Sequence, residues 1–350
     1  MNWIDPHIHF FALQHGHYDW LKPNNRPYWR DKSVIAHSVY ERDLFKGNHA
    51  ALSGFVHIEA GFDNGQPWRE VAFLEQHCTK PFRSVANIDL QSSTSLSDID
   101  RLKRFRSVVG LRHILDDDAA TLLRSPKVLH SLKHMAANNL SFDAQFDITD
   151  TASVRALLNV VERIPELAVI VNHVGAAPFL ADVLPAETLT AEGSLSAKGS
   201  LPAEGYLPAK GYLPAKGSLP AEGSSNHTNS SRHFYSSLAY TKWQRNLRAL
   251  AQCGNMAFKF SGMEMQDRQW TWPSVERLLN TALDILPIDN VMLASNFPLC
   301  TWRMPYAQLL KGYDDMLNRM QSQTASTAFC LSKDDAEKLR YKNAYKWYQF

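Results

Sequence analysis

Two kinds of hydrophobic pattern alternate along this chain. Short apolar runs rich in β-branched and aromatic residues read WIDPHIHFF (3–11), LSGFVHIEA (52–60), FRSVANIDL (82–90), SVVGLRHIL (107–115), LSFDAQFDI (140–148), LAVIVNHVG (167–175), MAFKFSGM (256–263) and NVMLASNFP (290–298). Between them lie stretches with apolar residues every three or four positions, such as QPWREVAFLEQHC, SPKVLHSLKHMAANN, TASVRALLNVVERIP, WQRNLRALAQC and SVERLLNTALDILP. The first pattern predicts strands and the second amphipathic helices. Eight strands separated by helices predict a parallel sheet with crossover helices, and eight is the number that closes a (β/α)8 barrel. An open doubly wound sheet competes, but it more often carries a glycine-rich phosphate turn after its first strand. HIHFFALQHG is not such a turn.

One segment follows neither pattern. From about Thr188 to Ser224 the chain repeats a hexapeptide of the form GSLPAE or GYLPAK, and a polar stretch extends it to His233. Gly and Pro in the repeat oppose helix and interrupt a strand ladder. Each unit offers too little apolar surface to offset the cost of ordering it. An ordered six-residue solenoid is the weaker alternative. The expectation is a single α/β domain over 1–350, a (β/α)8 TIM barrel with a long low-complexity insertion at 188–233, after strand six.

Composition adds limits rather than identity. With 350 residues the chain can build one large barrel, and its 45% hydrophobic and 21% charged residues suit an ordinary globular protein. A net charge of +2, spread along the chain, points to neither a nucleic-acid nor a membrane-surface partner. No apolar run approaches bilayer length, and the first strand follows the start almost directly. The four cysteines form no CxxC pair. A reduced, cytoplasmic enzyme acting on a small molecule is expected, with a homodimer compatible.

In such barrels the functional residues sit at the C-terminal strand ends. There the runs close on His7 and His9, Glu59, Asp89, Arg112 and His113, Asp143, Gln145 or Asp147, His173, Lys259 and Ser261, and Ser295 and Asn296. Residues one apart in a strand share a face, so His7 and His9 form a pair able to grip a cation or a substrate. Only one of Arg112 and His113 can face the barrel interior. Arg112 could grip a carboxylate or pair with a neighbouring acid. Lys259 reads either as an ion-pair partner or as a substrate contact, and Trp20 as a sugar-stacking face or as core. Asp5, before Pro6, is expected to fix a turn or a loop.

The ordered set DPHIHFF, YDWL, VHIEA, VVGLRHIL, VIVNHVG, FKFSG, SNFP and KNAYKWY resembles the amidohydrolase superfamily. Within it the likeness is to the amidohydrolase-2 branch of sugar lactonases and pyrone dicarboxylate lactonases. The resemblance implies hydrolysis of a small lactone, first of all one derived from a sugar acid. It implies His7, His9 and Glu59 as ligands of a divalent metal, zinc before others, although branch members without metal exist. It further implies a contact of His173 with the substrate carbonyl or the metal; the strand-end reading adds His113 and Asn296 as catalytic candidates, and Arg112, Trp20 and Lys259 as candidate substrate contacts. Strand eight departs from the pattern. The superfamily's general-base Asp is replaced by Asn296, and an amide cannot take up a proton near neutral pH. A carbon–carbon lyase acting on a carboxylic acid, and a non-catalytic pocket protein, are the alternatives.

Overall fold

The computed structural model describes residues 2–46, 52–179, 228–322 and 330–350, with side chains not described over 228–237. The repeat insert lies outside the described residues up to 227. Eight parallel strands form one sheet in sequential order: β1 (Trp3–Ile8), β2 (Leu52–Ile58), β3 (Phe82–Asn87), β4 (Val108–Ile114), β5 (Ser141–Gln145), β6 (Val169–Val171), β7 (Met256–Phe260) and β8 (Val291–Leu293). Each lies within one of the eight predicted runs. The ring closes just past β8, where His9 N donates to Phe297 O at 2.7 Å and Asn296 N donates to His7 O at 3.0 Å. The fold is the expected (β/α)8 barrel.

The described helices are α1 (Trp68–His77), α2 (Ser95–Leu102), α3 (Ala119–Arg124), α4 (Pro126–Ala137), α5 (Thr151–Arg163), α6 (Thr228–Leu250), α7 (Met263–Gln266), α8 (Trp272–Leu283), α9 (Tyr306–Ser322), α10 (Lys333–Glu337) and α11 (Asn343–Trp347). Their boundaries have local causes. Asp150 accepts from Ala152 N and Ser153 N at the start of α5, satisfying donors that a first turn leaves free. Along α5 Val154, Leu157, Val160 and Val161 are buried, the three-to-four spacing that turns one face toward the sheet.

Two apolar layers result. The larger lies between strands and helices, and the smaller fills the barrel with Ile4, Val56, Ile58, Val85, Ile170, Ala257 and Met292. Ala344 and Tyr348, at the C-terminus, belong to that inner cluster. Asn343 Nδ2 donates to Ile288 O and Val291 O, where β8 starts. The chain end therefore closes the barrel on the side away from the C-terminal strand ends, leaving those for function.

Asp5 does more than hold a turn. Its Oδ1 accepts from His7 N at 3.2 Å and from Ser295 N at 3.1 Å, so it staples β1 to the segment after β8. A register shift between Asp5 and Ile8 in the β1–β2 pairing accompanies the turn of His7 inward. Simple alternation would set Ile4 and His7 on opposite faces.

Candidate active site

His7 and His9 converge at the end of β1, with Nε2 atoms 3.2 Å apart. Their partners fix the tautomers. His9 Nδ1 lies 2.8 Å from Ile58 O, a carbonyl that can only accept, so His9 Nδ1 carries the proton and Nε2 the lone pair. His7 Nε2–H then donates to His9, and His7 Nδ1 faces the Lys259 Nζ donor at 3.4 Å. A line of donors runs from Lys259 through His7 and His9 to the backbone of β2. His173 joins from the end of β6, its ring 4.6 Å from that of His7 and its Nδ1 3.0 Å from Ser261 Oγ. Its φ of 56° is left-handed, a strained conformation that swings the side chain off the strand direction.

All three imidazoles are neutral. Burial first, then the cations Lys259 and Arg112, hold His7 and His173 well below the ordinary imidazole range; burial, Arg112 and His57 do the same for His9. Neutral N–H donors next to fixed positive charge suit an oxygen that becomes anionic.

Both cations are themselves anchored. Arg112, 5% exposed, donates through Nε to Glu59 Oε1 at 2.8 Å, through Nη2 to Glu59 O at 2.8 Å, and through Nη1 to Gln145 Oε1 at 2.9 Å. Its guanidinium fork is thus engaged by protein. Lys259 is ion-paired with Asp143 at 2.6 Å, and burial pulls its ammonium down to about 8.

His113 is not brought to this cluster. It points to the opposite face of β4 from Arg112, with Nδ1 3.0 Å from Ile88 O and 3.9 Å from the exposed Asp89 carboxylate. Trp20 donates to Ala60 O at 2.7 Å and meets Phe11 and Trp29 edge-on, half-buried in an aromatic group beside the β2 end.

Asn296 closes the site from beyond β8, with φ 58°. Its Nδ2 donates to Glu264 Oε1 at 2.6 Å, while Oδ1 is buried with no partner among the described residues. Glu264 was not legible as a strand-end residue, since it lies on α7, three residues past Ser261. Asn172 was also missed. It is 1% exposed, two residues beyond the inward-facing Ile170, and both its amide atoms are buried without partners among the described residues. A buried amide left so costs about 1–3 kcal/mol unless a ligand satisfies it.

Fold and site together define a (β/α)8 barrel with a buried, neutral histidine cluster at its C-terminal strand ends. A family model described as amidohydrolase matches residues 229–350. Over the whole length the chain is 24% identical to an uncharacterized protein, y4mH, of Sinorhizobium fredii, covering 99% of this chain and 98% of that protein. An amidohydrolase from Burkholderia multivorans with bound zinc has the same fold, with a TM-score of 0.69, 18% identity and full coverage of both chains. A protein of Acinetobacter baumannii described as probable 2-pyrone-4,6-dicarboxylic acid hydrolase, with citric acid bound, gives 0.58 at 14% identity, again over both whole chains. A dihydroxybenzoic acid decarboxylase of Polaromonas with bound manganese gives 0.54 at 12%, covering 100% of this chain and 97% of that one. At these identities the structures speak for the fold alone. The amidohydrolase resemblance read from the motifs is supported by the family match over residues 229–350.

Metals bound by these neighbours raise the question of whether the residues here fit one. Two nitrogens on one tetrahedral zinc stand roughly 3.3 Å apart, and the His7–His9 separation meets that. The rest of the donor set does not. Glu59 is taken up by Arg112 at 2.7 Å, and His7 Nδ1 faces an ammonium. A His7 ligating through Nε2 would have to carry its proton on Nδ1, against that ammonium. Among the described residues no group of three or more His, Cys, Asp or Glu could hold a metal ion. The trio His7, His9 and Glu59 is not assembled as a metal centre, and no step below runs through one.

Proposed function

We propose that this protein hydrolyses a small lactone, of the sugar-acid class first, by water attack on a carbonyl polarised by histidines. The observation that carries the reading is the buried, neutral cluster of His7, His9 and His173 beside Lys259 and Arg112. The carbonyl oxygen takes the place of His9 as acceptor for His7 Nε2–H. As negative charge develops there, Lys259 behind His7 and Arg112 beside the cluster favour it electrostatically. Such preorganised donors need no rearrangement at the moment of reaction, and removing one typically costs about 10²–10³ in rate. Asn296 Oδ1, a buried acceptor without a partner among the described residues, orients the attacking water. Asn172 offers a donor and an acceptor to substrate hydroxyls.

The family match and the hydrolase among the neighbours support this class of chemistry, and the decarboxylase neighbour keeps a carbon–carbon lyase as the competing outcome. The test is a pH-indicator assay over a panel of sugar-acid lactones, with and without chelator, on wild type and His7→Ala. Expected are turnover indifferent to chelator and a loss of at least about 10²-fold in His7→Ala. Carbon dioxide release from a carboxylic acid, with every lactone left closed, would replace hydrolase by lyase.

A further inference from the structure

Attack of water on a carbonyl needs a group to take the water's proton, and the amide of Asn296 cannot be that group. We propose that Glu264 is the proton acceptor, working with Asn296 as one hydrogen-bonded pair; this rests on the lactone-opening reading above.

The geometry begins at the end of β7. Gly262, with φ 76°, turns the chain so that α7 starts at Met263 and Glu264 falls in its first turn. Glu264 is 2% exposed, and its Oε1 receives Asn296 Nδ2 at 2.6 Å. A carboxylate can only accept, so the amide must turn its NH2 to Glu264 and its oxygen away. That oxygen is the unpartnered Oδ1. Asn296 N donates to His7 O, which ties its backbone to the strand end that carries His7. One residue thus links the water-orienting acceptor, the strand of the polarising histidine and a buried carboxyl.

The surroundings suit a base. Burial raises the Glu264 carboxyl to about 7, near the operating range where an acceptor is most effective. The hydrogen bond from Asn296 and the positive charge of Arg268, whose guanidinium bonds Glu264 O, pull the other way. The other titratable groups facing it, the Cys300 thiol and the Tyr313 phenol, are held protonated by burial and by Glu264 itself. In the step, a water O–H bond breaks and its electron pair forms the bond to the lactone carbonyl carbon. The proton goes to Glu264, and the carbonyl π pair moves to the oxygen beside His7. On collapse the ring C–O bond breaks, and Glu264 returns the proton to the leaving alkoxide. Lactone plus water gives hydroxy acid, with no oxidant or reductant.

A Glu264 that only held Asn296 in place could be replaced by Gln, whose amide oxygen accepts the same hydrogen bond. The experiment is therefore kcat/KM from about pH 5 to about pH 9 for wild type, Glu264→Gln and the exchanged pair Glu264→Gln/Asn296→Asp, on a lactone that wild type opens. Unfolding midpoints confirm the fold of each. Wild-type kcat/KM is expected to rise through about pH 7. Glu264→Gln should lose about 10²–10⁴-fold together with that rise, and the exchanged pair should regain at least about tenfold. A folded Glu264→Gln within about threefold of wild type, an unchanged rise, or an exchanged pair no better than Glu264→Gln overturns the inference alone. Wild type silent on every lactone overturns the lactone reading, and the inference falls with it.

Discussion

Lys259 Nζ and Asp143 Oδ2 meet at 2.6 Å inside the barrel, with neither side chain exposed. Tyr348, from the chain end, donates to Asp143 Oδ2 at 3.0 Å, so the pair joins the plug at the bottom of the barrel to His7 at the top. Breaking a buried pair on one side strands a charge, which costs about 3–5 kcal/mol, whereas replacing both partners with apolar groups is often neutral. Asp143→Ala is expected to lose about that much in denaturant unfolding, and Asp143→Leu/Lys259→Met to recover most of it. The recovered protein should still be slow, because Lys259 no longer supports His7. A loss under about 1 kcal/mol in Asp143→Ala would mean that the ammonium is discharged or solvated rather than paired.

Gly262 separates activity from stability. A Cβ there would stand 2.6 Å from His173 Nδ1 and 2.8 Å from Cγ, at a φ of 76° where L side chains are strained. The ring must move, and His173 leaves Ser261. Gly262→Ala is expected to cost about 1–3 kcal/mol of stability but well over tenfold in kcat/KM with KM little changed. Unchanged kinetics in a folded Gly262→Ala would remove His173 from the chemistry.

The fold was legible because burial repeats with a period. Every predicted run contains one strand, and the amphipathic stretches named between them hold helices. The candidate site was legible only where one of its residues closes a strand run, as with His7, His9, His173 and Asn296. It was hidden where three-dimensional partners decide the role. Arg112 and Glu59 read as separate substrate and metal contacts, yet they are one ion pair across β2 and β4. His113 read as catalytic beside Arg112, and alternation sends it to the outer face. Glu264 carries no strand-end signature, since it belongs to a four-residue helix that only the turn at Gly262 brings under Asn296.

The same carboxyl sets a pH dependence of stability. Burial raises Glu264 from 4.5 to about 7, so between those values the folded protein holds a proton that the unfolded chain has released. Its contribution to stability is fully present below about 4.5 and is lost as pH rises through about 7. Glu264→Gln has no proton to lose and keeps the same hydrogen bond to Asn296. The stability difference, variant minus wild type, should therefore grow with pH by on the order of 3 kcal/mol between about pH 4.5 and about pH 8, then level off. Urea unfolding of both proteins at matched ionic strength measures it, and subtraction removes the buried histidines, which titrate alike in the two. A difference flat across that range would show that Glu264 ionises in the folded protein as freely as in the unfolded chain. The carboxyl would then be a hydrated surface group, not one held near neutrality beside the water that Asn296 orients.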